Sequence, residues 1–362
     1  MADVQKDQFN IQYKKILAPS KTLCQREFTY SGYNYSEVFE LAAGIRKILS
    51  RRGGEKTLCI CTENKAVIAA CVLASLTSAC QLILPYSFSA HALLEMYETV
   101  GFNAAIADHP EEMPTGVEII TPLPSSIAEI NSAAIRDPDK QFLRLFTGGS
   151  TGKPKVWSKS PRNLLSEAFY LKEKFAISEK DLFVSTVPPY HIYGLLFSVL
   201  VPFIAHARLL PDIYTFPQEI ISTINKHKAS VLVSVPIHYR SMKVDNLSAP
   251  SLKVAFSSSG VLDRSDGLHF HKKTGLGITE IYGSTETGGI AARCVSDHTE
   301  SWKPFDIVSW KLIGKRLSIK SDLASPEMER DDEGYCVTGD EARQDKDKIG
   351  RASCRERVSS PV

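Results

Sequence analysis

The alternation of apolar patterns constrains the fold of this chain most, because short β-rich runs alternate with helical stretches over most of its length. Thr57–Thr62 has the pattern of a strand and Glu63–Ala79 that of a helix, and the helical pattern of Pro161–Phe175 precedes the strand-like Leu182–Thr186. Proline suits the first turn of a helix. Such alternation is typical of an α/β protein with parallel sheets flanked by helices.

The same patterning predicts further elements on both sides of the chain's centre. Ser89 is the predicted N-cap of one helix and Gly101 its end, since short polar residues cap helix starts and glycine closes helix ends. The further strands are Leu82–Leu84, Ala104–Ala107, Val117–Ile120, Ser230–Val235 and Leu252–Ser257, and the further helices are Ser89–Val100, Gly194–Ala205 and Pro217–Lys228.

After Gly289 the sequence pattern changes and predicts short strands and charged turns. Val308–Lys311 and Arg316–Lys320 predict antiparallel strands, and Glu327–Glu333 predicts an exposed loop. A charge run of this kind is usually solvated.

Composition points to a small-molecule partner. The 362 residues carry 43 basic and 41 acidic side chains, a formal charge of +2, so no broad field favours nucleic acid or an anionic membrane. The eight cysteines lack Cys-x-x-Cys spacing, which argues against a zinc site or a redox pair. Cys59 and Cys61 share one strand face, and Cys71 and Cys80 lie in a segment that reads as buried helix. Buried thiols suit a reducing cytoplasm, the predicted location.

No membrane span or signal peptide is predicted. Met1–Asn10 is polar, and the apolar segment Ala66–Pro85 is interrupted by polar residues, which fits a buried helix that runs into a strand. Leu195–Ala205 is too short to cross a bilayer.

The richest stretch for chemistry is a loop of glycines, hydroxyls and lysines between two strand-like segments, Phe142–Phe146 and Val156–Ser158. Glycine lets backbone N–H groups point at a phosphate, while hydroxyls and lysines add donors and positive charge. A Walker loop is excluded, since Thr147 stands where its first glycine belongs and Pro154 where its hydroxyl belongs. The predicted nucleotide-binding residues here are Thr147, Gly148, Gly149, Ser150, Thr151, Gly152 and Lys153, with Lys155 nearby.

Two further strings follow in order: Ile281-Tyr-Gly-Ser-Thr-Glu-Thr-Gly-Gly289 and Gly334-Tyr-Cys-Val-Thr-Gly-Asp340. Each alone also suits an ordinary turn. With the loop, they resemble the phosphate loop, the Tyr-Gly-x-Thr-Glu segment and the Thr-Gly-Asp segment of the adenylate-forming (AMP-dependent synthetase and ligase) superfamily, which includes acyl- and aryl-CoA synthetases. Gly-Gly replaces the commoner Ser-Gly in the phosphate loop.

The resemblance implies a role for each matching residue. Tyr282, next to Gly283, stacks on adenine, Thr285 bonds the α-phosphate, Glu286 helps hold Mg²⁺, and Asp340 accepts from both ribose hydroxyls. Mg²⁺ often takes only one or two carboxylates beside phosphates, which agrees with a single glutamate.

Two softer matches concern the acid substrate. Pro188-Pro-Tyr-His191-Ile-Tyr-Gly194 is similar to a segment whose histidine borders the reacting carboxylate, although such a histidine is often structural. Ser257-Ser-Ser259-Gly260 stands where the family has a Ser-Gly-Gly turn under the nucleotide; the triple serine departs from it and also suits a plain turn. The residues implied to line the acid pocket are His191, Tyr193, Ile281, Gly283 and the Ser257–Gly260 turn. Their aromatic and apolar character favours an aryl or medium-length acyl acid.

The resemblance also implies a domain layout: an extension at 1–26, an AMP-binding domain at 27–345 with two α/β subdomains and a small β-barrel-like subdomain, and a tail at 346–362. The chain is expected to end before the family's C-terminal lid, which carries a lysine. The segment Ile349–Val358 reads like a translated sequencing adapter, so the tail is set aside as an artefact; the alternative is a genuine basic tail.

The implied reaction is attack of a carboxylate on the α-phosphate of ATP, with Mg²⁺ offsetting charge and pyrophosphate leaving. A thiol of CoA or of an acyl carrier protein's phosphopantetheine then forms a thioester. Two alternatives remain: a module that binds ATP or acyl-adenylate with little turnover, and a kinase, which the absence of Walker and kinase motifs disfavours.

Overall fold

The computed structural model describes residues 2–50, 56–131, 133–147, 154–244, 247–296 and 301–350. The chain divides into two units. The first comprises the described residues of Met1–Phe146, Val156–Lys180 and Pro188–Pro211, and the second those of Thr147–Lys155, Asp181–Val187 and Asp212–Val362.

A six-stranded sheet organises the first unit. Its strands are β1 (Thr57–Cys61), β2 (Gln81–Leu84), β3 (Ala104–Ala107), β4 (Glu118–Ile119), β5 (Leu143–Thr147) and β6 (Lys155–Lys159). Their order is β4-β3-β1-β2-β5-β6, and the pairs β1–β2, β1–β3, β2–β5 and β3–β4 are parallel. Parallel neighbours need a crossover of a dozen or more residues, which the intervening helices provide.

The first unit contains helices at the predicted segments 63–79, 89–100 and 161–175, and Ser89 and Gly101 have the predicted capping roles. Ser89 caps α5 by accepting from Ala92 N, and Gly101 closes it at φ 64°. Ser160 caps α7, and Pro161 occupies its first turn. The helices are α1 (Ala2–Ile16), α2 (Lys21–Cys24), α3 (Tyr35–Ser50), α4 (Lys65–Leu76), α5 (Ala90–Val100), α6 (Ala128–Asn131), α7 (Pro161–Lys174), α8 (Ile192–Leu195) and α9 (Val201–Ile204), with a 3-10 turn at Pro110–Glu112.

Helix α4 is buried along its whole length, as its apolar sequence predicts. Asn64 caps it by accepting from Ala66 N and Val67 N, so the helix begins two residues later than the pattern indicated. Lys65 is also buried, and its Nζ donates to Leu210 O at 2.9 Å. A buried ammonium needs such acceptors, because an unpaired charge in the interior is costly.

The segment predicted as one helix over Gly194–Ala205 is interrupted. Leu196–Leu200 forms a π-helical turn between α8 and α9. Ser198 Oγ donates to Gly194 O at 2.7 Å, and such back-bonding bends helices.

The second unit contains most of a seven-stranded sheet. Its strands are β7 (Leu182–Ser185), β8 (Arg208–Ile213), in which the chain passes from the first unit to the second, β9 (Val231–Ser234), β10 (Val254–Ser257), β11 (Ile278–Ser284), β12 (Gly288–Val295) and β13 (Lys303–Pro304). Their order is β13-β12-β11-β10-β9-β7-β8. Strands β7, β9, β10 and β11 run parallel, whereas β12 and β13 pair antiparallel. The helices are α10 (Pro217–His227), α11 (Pro236–Ser241) and α12 (Arg264–Thr274).

Small antiparallel sheets follow where a barrel-like subdomain was expected. The strands β14 (Ser309–Ile313), β15 (Arg316–Lys320) and β16 (Cys336–Glu341) form a three-stranded sheet, and β17 (Gln344–Asp345) pairs with β18 (Lys348–Ile349). Three strands are too few to close on themselves. No closed barrel occurs in the described part of this region.

Cysteine positions agree largely with the sequence. Cys59 and Cys61 lie on one face of β1 with their Sγ atoms 3.5 Å apart, and Cys71 is buried in α4. Cys80 is buried too, but it precedes β2 instead of lying in the helix, since α4 ends at Leu76. Within the described ranges, we find no helix with the length and apolar character needed to cross a membrane.

Candidate nucleotide-binding site

The Tyr-Gly-x-Thr-Glu segment forms a tight hairpin. Tyr282 and Gly283 lie at the end of β11, and the chain turns through Thr285–Thr287 into β12. A side chain at 283 would overlap the Gly288 carbonyl oxygen, so only glycine lets the two strands approach this closely.

Two hydroxyl residues brace the turn that carries Glu286. Ser284 N donates to Thr287 Oγ1 at 3.0 Å, and Thr287 N donates to Ser284 Oγ at 3.3 Å. The Glu286 carbonyl oxygen accepts from Ser325 N at 2.7 Å. The backbone on both sides of Thr285 and Glu286 is therefore fixed by hydrogen bonds.

Asp340 meets this hairpin directly. It lies on β16, whose residues alternate between buried and exposed, and it faces inward with 7% of its surface exposed. The Tyr282 hydroxyl donates to Asp340 Oδ2. Two of the three predicted nucleotide-binding strings thus come together within the second unit.

The serine turn after β10 lies beside the same strand. Ser258 Oγ donates to the Ile281 carbonyl oxygen at 2.9 Å, one residue before Tyr282. Ser259 adopts φ 64°, in the left-handed region that favours glycine, while Gly260 has no side chain to obstruct the turn. The turn, the hairpin and Asp340 form one cluster in the second unit.

Three residues that the sequence reasoning missed support Tyr282. The Trp302 ring lies 5.3 Å from the Tyr282 ring, measured between centroids, and the Arg293 guanidinium lies 4.3 Å from the Trp302 centroid. Arg293 Nε also contacts Glu280 Oε2 at 2.6 Å. No sequence motif marks these residues, and Arg293 meets Glu280 only through the antiparallel register of β11 and β12.

The structure describes the flanks of the predicted phosphate loop. Thr147 ends β5 and Lys155 begins β6, which agrees with a loop between two strands. The residues Gly148, Gly149, Ser150, Thr151, Gly152 and Lys153 lie outside the described residues. Their phosphate contacts therefore stay a prediction.

His191 belongs to the first unit, where it stands at the N-terminus of α8. The Tyr190 ring lies 4.8 Å from its ring, and burial lowers the pKa of the imidazole below its usual value. A side chain at Gly194 would overlap the Pro188 carbonyl oxygen, which explains why this loop needs glycine there. Tyr193 is buried and packs on Phe197 at 4.9 Å.

The side chains of the second unit that could ligate a metal suit a magnesium ion bound together with a nucleotide. Among the described residues, no group of three or more His, Cys, Asp or Glu side chains is placed to hold a metal by itself. Glu286 offers one carboxylate on a fixed turn, and Mg²⁺ commonly binds through one or two carboxylates plus phosphates.

Comparison with known proteins gives the family. The AMP-binding enzyme family matches residues 18–340 of this chain. The chain belongs to the AMP-binding enzyme family.

Sulfoacetate–CoA ligase of Cupriavidus necator is 25% identical over 156 residues, which are 42% of this chain and 31% of that protein. Anthranilate–CoA ligase of Pseudomonas aeruginosa is 29% identical over 158 residues, 43% of this chain and 30% of that ligase. These matches span less than a third of either relative.

The fold of this AMP-binding family member also matches a solved structure. The crystal structure of ATP-bound MatB from Rhodopseudomonas palustris superposes with a TM-score of 0.79 at 19% identity, covering 94% of this chain and 77% of MatB. At this identity the match establishes the fold. The predicted α/β architecture is confirmed.

Proposed function

We propose that this chain binds ATP and activates a carboxylic acid as its acyl-adenylate, releasing pyrophosphate, and that a thiol of CoA or of a carrier protein's phosphopantetheine then accepts the acyl group. The observation that carries the proposal is the contact of Tyr282 with Asp340, which joins two of the predicted nucleotide-binding strings in the second unit.

Asp340 is the proposed ribose anchor. A carboxylate offers about four lone-pair sites, so one bond from Tyr282 leaves capacity to accept from both ribose hydroxyls. Its inward position on β16 holds the carboxylate in place before a ligand arrives. Preorganised acceptors of this kind lower the entropic cost of binding.

The Thr285–Thr287 turn is the proposed holder of the α-phosphate. Thr285 would donate a hydrogen bond to a phosphate oxygen, and Glu286 would ligate Mg²⁺, which supplies charge neutralisation when bound. Adenylyl transfer depends mainly on positioning and charge compensation, so a turn fixed on both sides serves it well. Gly148–Lys153 and Lys155 remain the proposed contacts of the leaving phosphates.

The acid substrate is proposed to be an aryl or medium-length acyl acid, with His191 beside its carboxylate. The names of the two relatives include an aryl acid, anthranilate, and a short sulfonated acid, sulfoacetate.

Exchange of labelled pyrophosphate into ATP tests the reaction. We expect exchange that depends on a carboxylic acid and on Mg²⁺, and we expect Glu286→Gln to reduce it by about a hundredfold. A panel of aryl, medium-chain and amino acids identifies the preferred substrate. Glu327→Gln, a change in the charged loop, is the matched control and should leave exchange unchanged.

The outcomes separate the proposed enzyme from its alternatives. AMP binding without exchange for any acid would contradict acid activation and leave a nucleotide-binding module. Formation of ADP instead of AMP would indicate a kinase. Undiminished exchange in Glu286→Gln would overturn the role of that residue alone.

A further inference from the structure

The face of the β11–β12 hairpin that carries Tyr282 also carries a line of side chains that ends at a buried ion pair. Glu280 and Tyr282 lie two residues apart on β11, so they share one face of the sheet. Arg293 is directly opposite Glu280 on β12 and projects from the same face. Cross-strand neighbours of this kind are close enough to interact strongly.

Glu280 fixes the guanidinium of Arg293. The Glu280 side chain is only 4% exposed, and its Oε2 accepts from Arg293 Nε at 2.6 Å. A buried carboxylate is stable only with such a partner, so the pair holds both side chains in one geometry.

Arg293 in turn supports the indole of Trp302. Its guanidinium carbon lies 4.3 Å from the ring centroid, within the range of an attractive cation–π contact. Trp302 is also buried, with 8% of its surface exposed. The indole therefore has little freedom to move.

Trp302 then packs against Tyr282 with ring centroids 5.3 Å apart and an angle of 40° between the planes. Tyr282 is 3% exposed, and its hydroxyl reaches Asp340 Oδ2. The direction of this hydroxyl decides which carboxylate oxygen is engaged, and hence how the other oxygen is presented.

We propose that Arg293 and Trp302 are positioning residues for the ribose site: through Tyr282 they set the orientation of the Asp340 carboxylate and so the selectivity of this chain for ribonucleotides over 2′-deoxyribonucleotides. The inference rests on the proposed nucleotide-binding function. It assigns a ligand-directed role to two residues that the motifs do not contain.

The test compares the affinities of AMP and 2′-deoxy-AMP for the full chain by isothermal titration calorimetry. We expect the wild-type chain to prefer AMP by about tenfold, the value of one hydrogen bond to a charged group. Tyr282→Phe keeps the ring against Trp302 but removes the hydroxyl, and it should reduce the preference to about twofold. Trp302→Leu should reduce it similarly, whereas Trp302→Phe should largely retain it.

Controls separate positioning from general loss of structure. Trp310→Leu, on β14, removes an indole outside the line and should leave the preference unchanged. Near-ultraviolet circular dichroism shows whether each variant is folded; if Trp302→Leu unfolds, Tyr282→Phe and Arg293→Lys decide the question, the latter with an expected threefold reduction.

The two failures are distinguishable. If the wild-type chain binds neither AMP nor ATP, the proposed function fails and the positioning role fails with it. If it prefers AMP but folded Tyr282→Phe and Trp302 variants keep the same preference, the positioning role is overturned while nucleotide binding stands.

Discussion

The β11–β12 hairpin and the loop that carries His191 bury polar side chains in different ways. In the hairpin, Glu280 contacts Arg293 at 2.6 Å and Asp340 accepts from Tyr282. In the loop, burial is the cause that lowers the pKa of His191, whose ring lies beside that of Tyr190. The hairpin is therefore built to keep charged groups in place, while the loop favours a neutral imidazole at physiological pH. Three experiments test this contrast, and a fourth concerns the serine turn beside the hairpin.

The loop that carries His191 depends on Gly194, and Gly194→Ala should have the largest effect on stability. Its Cβ would overlap the Pro188 carbonyl oxygen, which belongs to the backbone and cannot rotate away. We expect the free energy of unfolding to fall by about 3 kcal/mol, as overpacking does. Urea denaturation measures it. Gly339→Ala, where no atom lies within 4 Å of an added Cβ, is the control and should change stability little.

The β11–β12 hairpin depends on paired charge, so Arg293→Met should remove the cation that pairs with the buried Glu280 carboxylate. We expect a loss of about 2 kcal/mol, below the range of about 3–5 kcal/mol for fully buried pairs, because the Arg293 side chain keeps 21% of its surface exposed. The same denaturation measurement applies. The double variant Glu280→Gln with Arg293→Met should recover much of the loss. Equal stability of the single and double variants would show that the pair contributes little.

A pH series examines the imidazole itself. Because the folded chain lowers the pKa of His191, the unfolded chain binds the proton first as pH falls below about 6.5. Acid therefore favours unfolding, by at most about 1.4 kcal/mol per pH unit for one group. His191→Asn should flatten the profile between pH 6.5 and the lower folded-state pKa. Burial also lowers the pKa of His206 and His238, so part of the slope remains; an unchanged slope would contradict the assignment to His191.

The smallest effect concerns the serine turn. Ser259 adopts φ 64°, so Ser259→Gly relieves backbone strain and should raise the free energy of unfolding by roughly 0.5–1 kcal/mol. Ser258→Gly is the matched comparison, since it deletes the bond to Ile281 O and should destabilise. Destabilisation by both would mean that the Ser259 side chain has contacts that outweigh the strain.

Features set by neighbouring residues were predictable from the sequence. Ser89, Gly101 and Pro161 mark helix ends by local hydrogen bonding and backbone preference, and the structure has them in those roles. The break in the helix after Gly194 was not, because an apolar segment suits α- and π-helical turns alike.

Side-chain partners that meet through strand pairing could not be predicted from the sequence, for a different reason. The Glu280–Arg293 register depends on how many residues the Thr285–Thr287 turn takes and on the irregularity between Tyr282 and Gly283. One residue more or less would place Arg293 on the opposite face. The approach of Asp340 to Tyr282 spans 58 positions of sequence, and only the resemblance indicated it.

The bond from Tyr282 to Asp340 also joins two sheets, because β11 belongs to the seven-stranded sheet and β16 to the three-stranded one. A ligand that binds Asp340 is therefore expected to change the stability of the contact between the two sheets. Amide hydrogens of β14–β16 should exchange more slowly once nucleotide is bound. Hydrogen-exchange protection of the three-stranded sheet would then report whether a ribose occupies the Asp340 carboxylate.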